Sequence, residues 1–244
     1  MASEHGRAAS AAQTELLSQE QLEGILEFDT CSIANAIECF GVRLHNEGFT
    51  SPGLDCLTGT EQRVLGYAAT FRVKSADPPV TGGRFDDRTD WWDEIKSMPT
   101  PKIAVFQNVD EGGEVGACVG EVHAAMLKAF GCAGMITDGS VRDITGIKKL
   151  GGFSVLASSV SLSHSYMHIV DFGTPVNIFG LSVRQGDLLY ADCHGVLAIP
   201  IGIAAELPSV ADRLRHKDRR IIELCKSADF STEKLLQLIS EIVQ

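Results

Sequence analysis

The sequence predicts an α/β fold, a mixed sheet with helices on both faces, and three observations carry that prediction. Apolar strand-like runs, Lys102 to Gln107, Ala133 to Thr137 and Phe153 to Leu156, alternate with helical patterns over Val122 to Phe130 and up to Leu150. That alternation is the rhythm of βαβ units. Short β pieces follow between Val176 and Pro200, spaced by Gly180, Gly186-Asp187 and Asp192-Cys193-His194-Gly195. Helical patterns fill both ends of the chain. With 44% hydrophobic and 22% charged residues in 244, the chain can bury a full core, which excludes global disorder.

Taken in order, residues 1–17 form an expected disordered tail, Ala/Ser-rich around Glu4, His5 and Arg7, with neither the apolar run of a signal peptide nor the repeated arginines of an organelle-targeting helix. A catalytic α/β domain is expected over 18–202 and a helical extension over 203–244. The first helix spans Ser18 to Leu26. The second spans Cys31 to Phe40, capped by Asp29 or Thr30 and stopped by Gly41. Residues 62–74 are β-like with Gly66 and alanines inside, which calls for close backbone packing or a bulge. Gly82 to Met98, with Asp86, Asp87, Asp90, Trp91, Trp92, Asp93 and Glu94, reads as a loop and a short acidic helix, packed on the surface in preference to a lid or subunit contact. A glycine-rich run from Glu111 to Gly120 then enters the helix over 122–130, and an Asp138-Gly139 turn ends the strand that follows. Turns dominate from 157 to Gly173. Residues from Ile203 are helical, broken near Ser227 to Ser231.

Twenty-one basic against thirty-two acidic residues give a net charge of −11, which repels a phosphate backbone or an anionic membrane. The basic stretch Arg213 to Arg220 contains Asp218 and reads as a solvated helix face. No nucleic-acid partner is expected. No run approaches the ~18 apolar residues of a membrane-spanning helix. Seven cysteines, an odd number without CxxC spacing, read as reduced thiols of a cytoplasmic protein.

Glu121 follows the glycine-rich run, and Arg142-Asp143 follows the next strand, so two carboxylates and a guanidinium meet at the carboxyl edge of the sheet. Backbone amides of the run and a helix N-terminus favour an anion there. Hard oxygen ligands suit Mg²⁺ or Mn²⁺, and Arg142 suits a carboxylate. From spacing alone, a solvated Arg-Asp pair and an exposed helix-start glutamate remain the simpler reading. Other groups rank lower. His164 and His168 have the spacing of a helical metal pair but lie in a poor helix without an accompanying glutamate. Cys118 reads as a small loop residue, Lys148 and Lys149 as solvated helix-end lysines, and His123 receives no role. Asp192 and His194, in a short β turn, are second-tier candidates for a site rim or a subunit interface.

Thr30-Cys31-Ser32-Ile33-Ala34-Asn35-Ala36, Gly66-Tyr67-Ala68-Ala69-Thr70, Gly120-Glu121 through Asp138-Gly139-Ser140-Val141-Arg142-Asp143, and Gly186-Asp187 with Ala191-Asp192-Cys193-His194-Gly195-Val196 together resemble the family uniting 4-hydroxy-4-methyl-2-oxoglutarate aldolase with the regulator of ribonuclease E activity. The resemblance runs from about Ser32 to Pro200. It implies a stacked-sheet ββα swivelling-domain fold, assembly as homotrimers or dimers of trimers with sites between subunits, and a small α-keto acid substrate. It further implies Asp143 as direct Mg²⁺ or Mn²⁺ ligand, Arg142 as the group binding the pyruvate carboxylate, Glu121 as holder of metal-bound water, and the amides of Val119, Gly120, Glu121 and Val122 as the substrate cradle. The implied activity is a carbon–carbon lyase working through pyruvate enolate, as aldolase, oxaloacetate decarboxylase or both. The alternatives are a non-catalytic protein-binding regulator and a sibling keto-acid hydrolase or decarboxylase with a larger substrate. The acid at position 121 is typical of the lyase branch. Asn35 in place of Asp, a longer Trp91-Trp92 segment and a Ser158 to His168 stretch without the common Ser-Pro loop depart from the pattern.

Overall fold

The computed structural model describes residues 16–79, 89–112 and 116–243. The expected tail therefore falls almost wholly outside the described residues, as do Gly82, Asp86, Asp87 and the Gly113-Glu114-Val115 portion of the glycine-rich run.

Four parallel strands form the centre: β2 (Val64–Lys74), β3 (Lys102–Asn108), β4 (Cys132–Val141) and β5 (Ser154–Val160). They are joined in turn by α3 (Asp90–Ser97), α4 (Glu121–Ala129) and α5 (Ile144–Lys149). Sequential strands lie side by side, as short βαβ connections favour. On the far side of β5 lies β1 (Asp55–Cys56), antiparallel. The other edge of β2 is shared. Its first half pairs antiparallel with β9 (Leu188–Asp192), which continues to β10 (Gly195–Ile199), and its second half pairs with β6 (His168–Phe172). A separate hairpin holds β7 (Val176–Ile178) and β8 (Leu181–Val183).

Side-chain parity along the strands shows where the core sits. Leu65, Tyr67, Ala69, Phe71 and Val73 of β2 share one face, and Val64 and Ala68 take the other. The first face carries helices throughout. On it α3, α4 and α5 cover Phe71, Phe106, Met135 and Val155. Further along, α1 (Gln19–Leu26), α2 (Thr30–Glu38) and α6 (Leu207–Lys226) cover Leu65, Tyr67, Leu188 and Tyr190. The opposite face packs Ile103, Val105, Ile136, Leu156, Leu189 and Val196 against the β7–β8 hairpin. The expectation of helices on both faces is thus corrected: the sheet rolls its second face inward around branched side chains, and a hairpin closes it.

Several local expectations meet the structure directly. Ser18 caps α1 reciprocally with Gln21, and the Asp29 side chain accepts from Ser32 N–H to cap α2. A Cβ on Gly66 would lie 2.8 Å from the Pro101 carbonyl, so β2 and the entry to β3 approach as only glycine allows. A register shift between Arg72 and Val73 supplies the bulge. Within α3, Trp91 is fully buried edge-on to Phe71 at 5.6 Å and to Phe130 at 5.8 Å between ring centroids.

Two elements differ. The Asp138-Gly139 turn is instead a bulge inside β4, and pairing with β5 resumes at Ser140. The Asp138 carboxylate accepts from Asn108 N–H and the Thr137 hydroxyl accepts from Gly139 N–H, which satisfies the displaced backbone. The turn-rich stretch to Gly173 contains β6, whose first residue pairs with Lys74. After β10, a 3₁₀ turn (Ile201–Glu206) leads into α6, and α7 (Thr232–Val243) folds back on it. No helix among the described residues is long and apolar enough to cross a membrane.

Candidate active site

The end of the glycine-rich run travels beside the extended end of β4. Val119 bridges Val141 in parallel, Cys118 N–H donates to the Ser140 carbonyl at 2.9 Å, and Arg142 N–H donates to the Val119 carbonyl at 3.0 Å. This pairing brings Gly120 and Glu121, at the start of α4, against Arg142 and Asp143, at the start of α5. Gly120 is the N-cap of α4. A Cβ there would stand 2.5 Å from Asp143 Oδ2 and 3.2 Å from Arg142 Nε, so the missing side chain lets the carboxylate lie on the backbone. Glu121 N–H donates to that Oδ2 at 3.3 Å, and Arg142 Nε is 3.5 Å from it.

Asp143 holds a left-handed conformation, φ 58 and ψ 34, that turns the chain from β4 into α5. Its side chain makes no capping bond to α5 and points back to Gly120 instead. Aspartate tolerates this region better than most residues, but it still costs about 1 kcal/mol. Glu121 carries its carboxylate over Gly146 of α5, in the space a Cβ there would need.

These groups border a cleft of about 230 Å³. Gly120, Val122, Arg142 and Asp143 line it, while Val119 is buried behind it and the Glu121 side chain is not part of the lining. Ala117, Cys118, Met126 and Met167 form an apolar wall. His123 and His164 also line the cleft, and the sequence reading gave neither a place there. His123 could have been found from its position in the first turn of α4. His164 could not, because its loop reaches the cleft through long-range bonds such as those from Ala117 N–H to the Ser163 carbonyl and from Ser161 N–H to the Val141 carbonyl. The helical His164/His168 pair does not form: His164 sits in a loop with Nδ1 2.8 Å from the Ser165 carbonyl, and His168 starts β6. Lys148 and Lys149 close the last turn of α5, away from the lining.

Arg142 and Asp143 are partly exposed, at 36% and 45%. A carboxylate on an open cleft beside a side-chain-free glycine fits a hard divalent ion that keeps most of its waters. Asp143 would hold such an ion directly, while the Glu121 carboxylate lies over Gly146, outside the lining.

Asp192 and His194 lie elsewhere. Asp192 is 3% exposed and accepts from Thr30 N–H at 2.9 Å, the Thr30 hydroxyl at 2.7 Å and His194 N–H at 2.8 Å, tying the β9–β10 turn to the N-terminus of α2. Burial alone would raise its pKa, but the bonds from Thr30 and His194 outweigh it and hold the carboxyl below its usual range. His194 opens on a second cleft of about 250 Å³ with Cys31, Asn35 and Phe49, which shares no lining residue with the first.

Solved structures define the class of fold. A Pseudomonas syringae pv. tomato protein superposes with a TM-score of 0.67 at 23% identity, covering 91% of this chain and 98% of its own. Streptomyces coelicolor RraAS2, described as an unusual member of the RNase ES inhibitor RraA protein family, superposes at 0.63 with 21% identity, covering 86% and 98%. The sequence then fixes the family: residues 30–198 match the RraA-like model, Aldolase/RraA, and the chain belongs to that family. A Halalkalibacterium halodurans protein named "Putative 4-hydroxy-4-methyl-2-oxoglutarate aldolase" is 33% identical over 76% of this chain and 80% of its own. A Methanocaldococcus jannaschii protein, MJ0644, is 31% identical over 70% and 77%.

Proposed function

We propose that this chain is a divalent-metal-dependent carbon–carbon lyase that acts on α-keto acids through a pyruvate enolate, as a 4-hydroxy-4-methyl-2-oxoglutarate aldolase, an oxaloacetate decarboxylase or both. The observation that carries this reading is the convergence of Asp143, Arg142 and the Gly120-Glu121 backbone on one cleft. Arg142 pairs with the substrate carboxylate through charge-assisted hydrogen bonds and orients the keto acid. Asp143 would hold Mg²⁺ or Mn²⁺. The ion, when bound, withdraws electrons from the keto oxygen as a Lewis acid. Glu121 would position a water and take up, through that water, the proton the 4-hydroxyl gives up in the aldol cleavage. Met126, Met167 and Ala117 keep bulk water off the reacting carbons.

The active form is a homotrimer or a dimer of trimers. Supporting this, Val122, Val160, Leu162 and Tyr166 stand 54% exposed or more on segments that border the cleft. A neighbouring subunit would cover them.

The test is pyruvate release from oxaloacetate and from 4-hydroxy-4-methyl-2-oxoglutarate, with Mg²⁺, with Mn²⁺ and with chelator. Metal-dependent release is expected, reduced by a factor of about 10³ or more in Asp143→Ala and Arg142→Ala proteins that keep their fold and oligomer. A well-folded Asp143→Ala protein with undiminished turnover sinks the assignment.

A further inference from the structure

We propose that Asp192, Cys193 and His194, at the turn between β9 and β10, bind a thiophilic divalent transition ion, Zn²⁺ foremost, at a site separate from the Asp143 cleft. A carboxylate oxygen, a thiol sulfur and a ring nitrogen of these three residues all lie within 4.8 Å of one another. Among the described residues no other group of three metal-binding side chains converges so closely.

Two of the three distances lie near those of a tetrahedral centre. His194 Nδ1 stands 3.0 Å from Asp192 Oδ1 and 3.8 Å from Cys193 Sγ. Zinc with bonds of about 2.05 Å to nitrogen and oxygen and about 2.3 Å to sulfur gives edges of about 3.3 Å for N···O and about 3.5 Å for N···S. The two edges at His194 each need a change of about 0.3 Å, the first of them replacing a hydrogen bond, while the Asp192–Cys193 edge lies within 4.8 Å and closes by rotation of the exposed Cys193 side chain.

The hairpin fixes the arrangement. Asp192 pairs with Gly195 across the ladder, leaving Cys193 and His194 as the two turn residues, and Gly195 takes the positive φ of 127 that closes it. Asp192 Oδ2 accepts from Thr30 N–H at the start of α2, and its Oδ1 accepts from the Thr30 hydroxyl. A ligating carboxylate is held by such outer bonds. Cys193 is exposed and the His194 side chain is 53% exposed beside the second cleft, so water has room to complete the coordination. Thiolate and imidazole select zinc over the magnesium or manganese suited to the all-oxygen Asp143 cleft.

The test uses the full chain, stripped with chelator and free of any affinity tag, titrated with Co²⁺ and read by absorbance. One equivalent should give a thiolate-to-cobalt charge-transfer band with the visible bands of a tetrahedral ion, and Zn²⁺ should displace it. Cys193→Ser should abolish the charge-transfer band, and His194→Asn should weaken Zn²⁺ binding by roughly tenfold or more. Asp143→Asn and Cys225→Ser should leave band and affinity unchanged. Circular dichroism of each variant separates a lost site from a lost fold. Absence of the band in the folded parent protein overturns the proposal. So does its survival in Cys193→Ser, or its loss in Asp143→Asn or Cys225→Ser.

Discussion

Gly120 acts through the atom it lacks, since a Cβ there would press on the Asp143 carboxylate at 2.5 Å. Gly120→Ala should therefore keep stability within about 1 kcal/mol while lowering pyruvate release roughly a hundredfold, as small misplacements of reacting groups do. Parallel melting and turnover measurements check this, and unchanged turnover would show that the carboxylate has room to move. Glu121, Arg142 and Asp143 were legible because each ends or begins an element that the sequence marks. The contact of Glu121 with Gly146, and the left-handed turn at Asp143, were not, because they depend on how two helix starts dock. A second residue-level prediction concerns pH. Burial pushes the Cys132 thiol up to about 12 from the ordinary 9.0, although the Lys102 ammonium opposes the shift. The folded state thus keeps a proton that the unfolded chain releases, so this contribution is intact below pH 9 and is lost as pH rises toward 12. Burial also raises Tyr190, which adds to the loss, whereas burial lowers Lys102, which offsets part of it. Chemical denaturation from pH 8 to 11 should show falling stability, with a shallower slope in Cys132→Ala.

The acidic helix α3 shows how far an element can be read from its residues. Its polar charges suggested a surface helix, and its spacing put Trp91 and Ile95 four apart on one buried stripe. The fully buried indole then meets Phe71, Phe130 and Trp92. Trp91→Ala should cost about 3–5 kcal/mol, and Trp92→Ala, at a partly buried position, clearly less. Equal losses in denaturant titrations would refute this packing. The β4 bulge was misread as a turn because Asp-Gly is the commonest turn pair, and only the partners Asn108 and Ser159 show that the ladder resumes. β6 escaped for a different reason. Its pairing with β2 is long-range, and the residues His168–Phe172 carry only a partial alternation of burial.

At the scale of the whole molecule, the sequence told which segments are strands and helices but not that every helical layer lies on one face of the sheet. Parallel strands buried on both sides look alike from either side. The C-terminal helix α7 is the part least tied to the rest. α7 buries no described side chain, leaves Leu236 and Ile239 exposed, and meets α6 through Lys217 Nζ to the Ile242 carbonyl and Arg220 to Glu241. Deleting residues 228–244 should lower Tm by no more than about 4 °C, since a loss of ~1 kcal/mol shifts Tm by that amount in a chain of this size. A collapse of the folded state would show that α7 supports the core. The divided edge of β2 has one more consequence, in the order of assembly. Strands β2 to β5 can form from neighbouring βαβ units as the chain emerges from the ribosome. The opposite edge of β2 must wait for β6 and β9, and Val64 meets Ala191 only after most of the chain has been made. Until then the nascent protein carries a long apolar strand with one row of unpaired amides and carbonyls. Its synthesis therefore includes an interval of exposure to edge-to-edge association, and a chaperone that covers one strand edge would shorten that interval's danger.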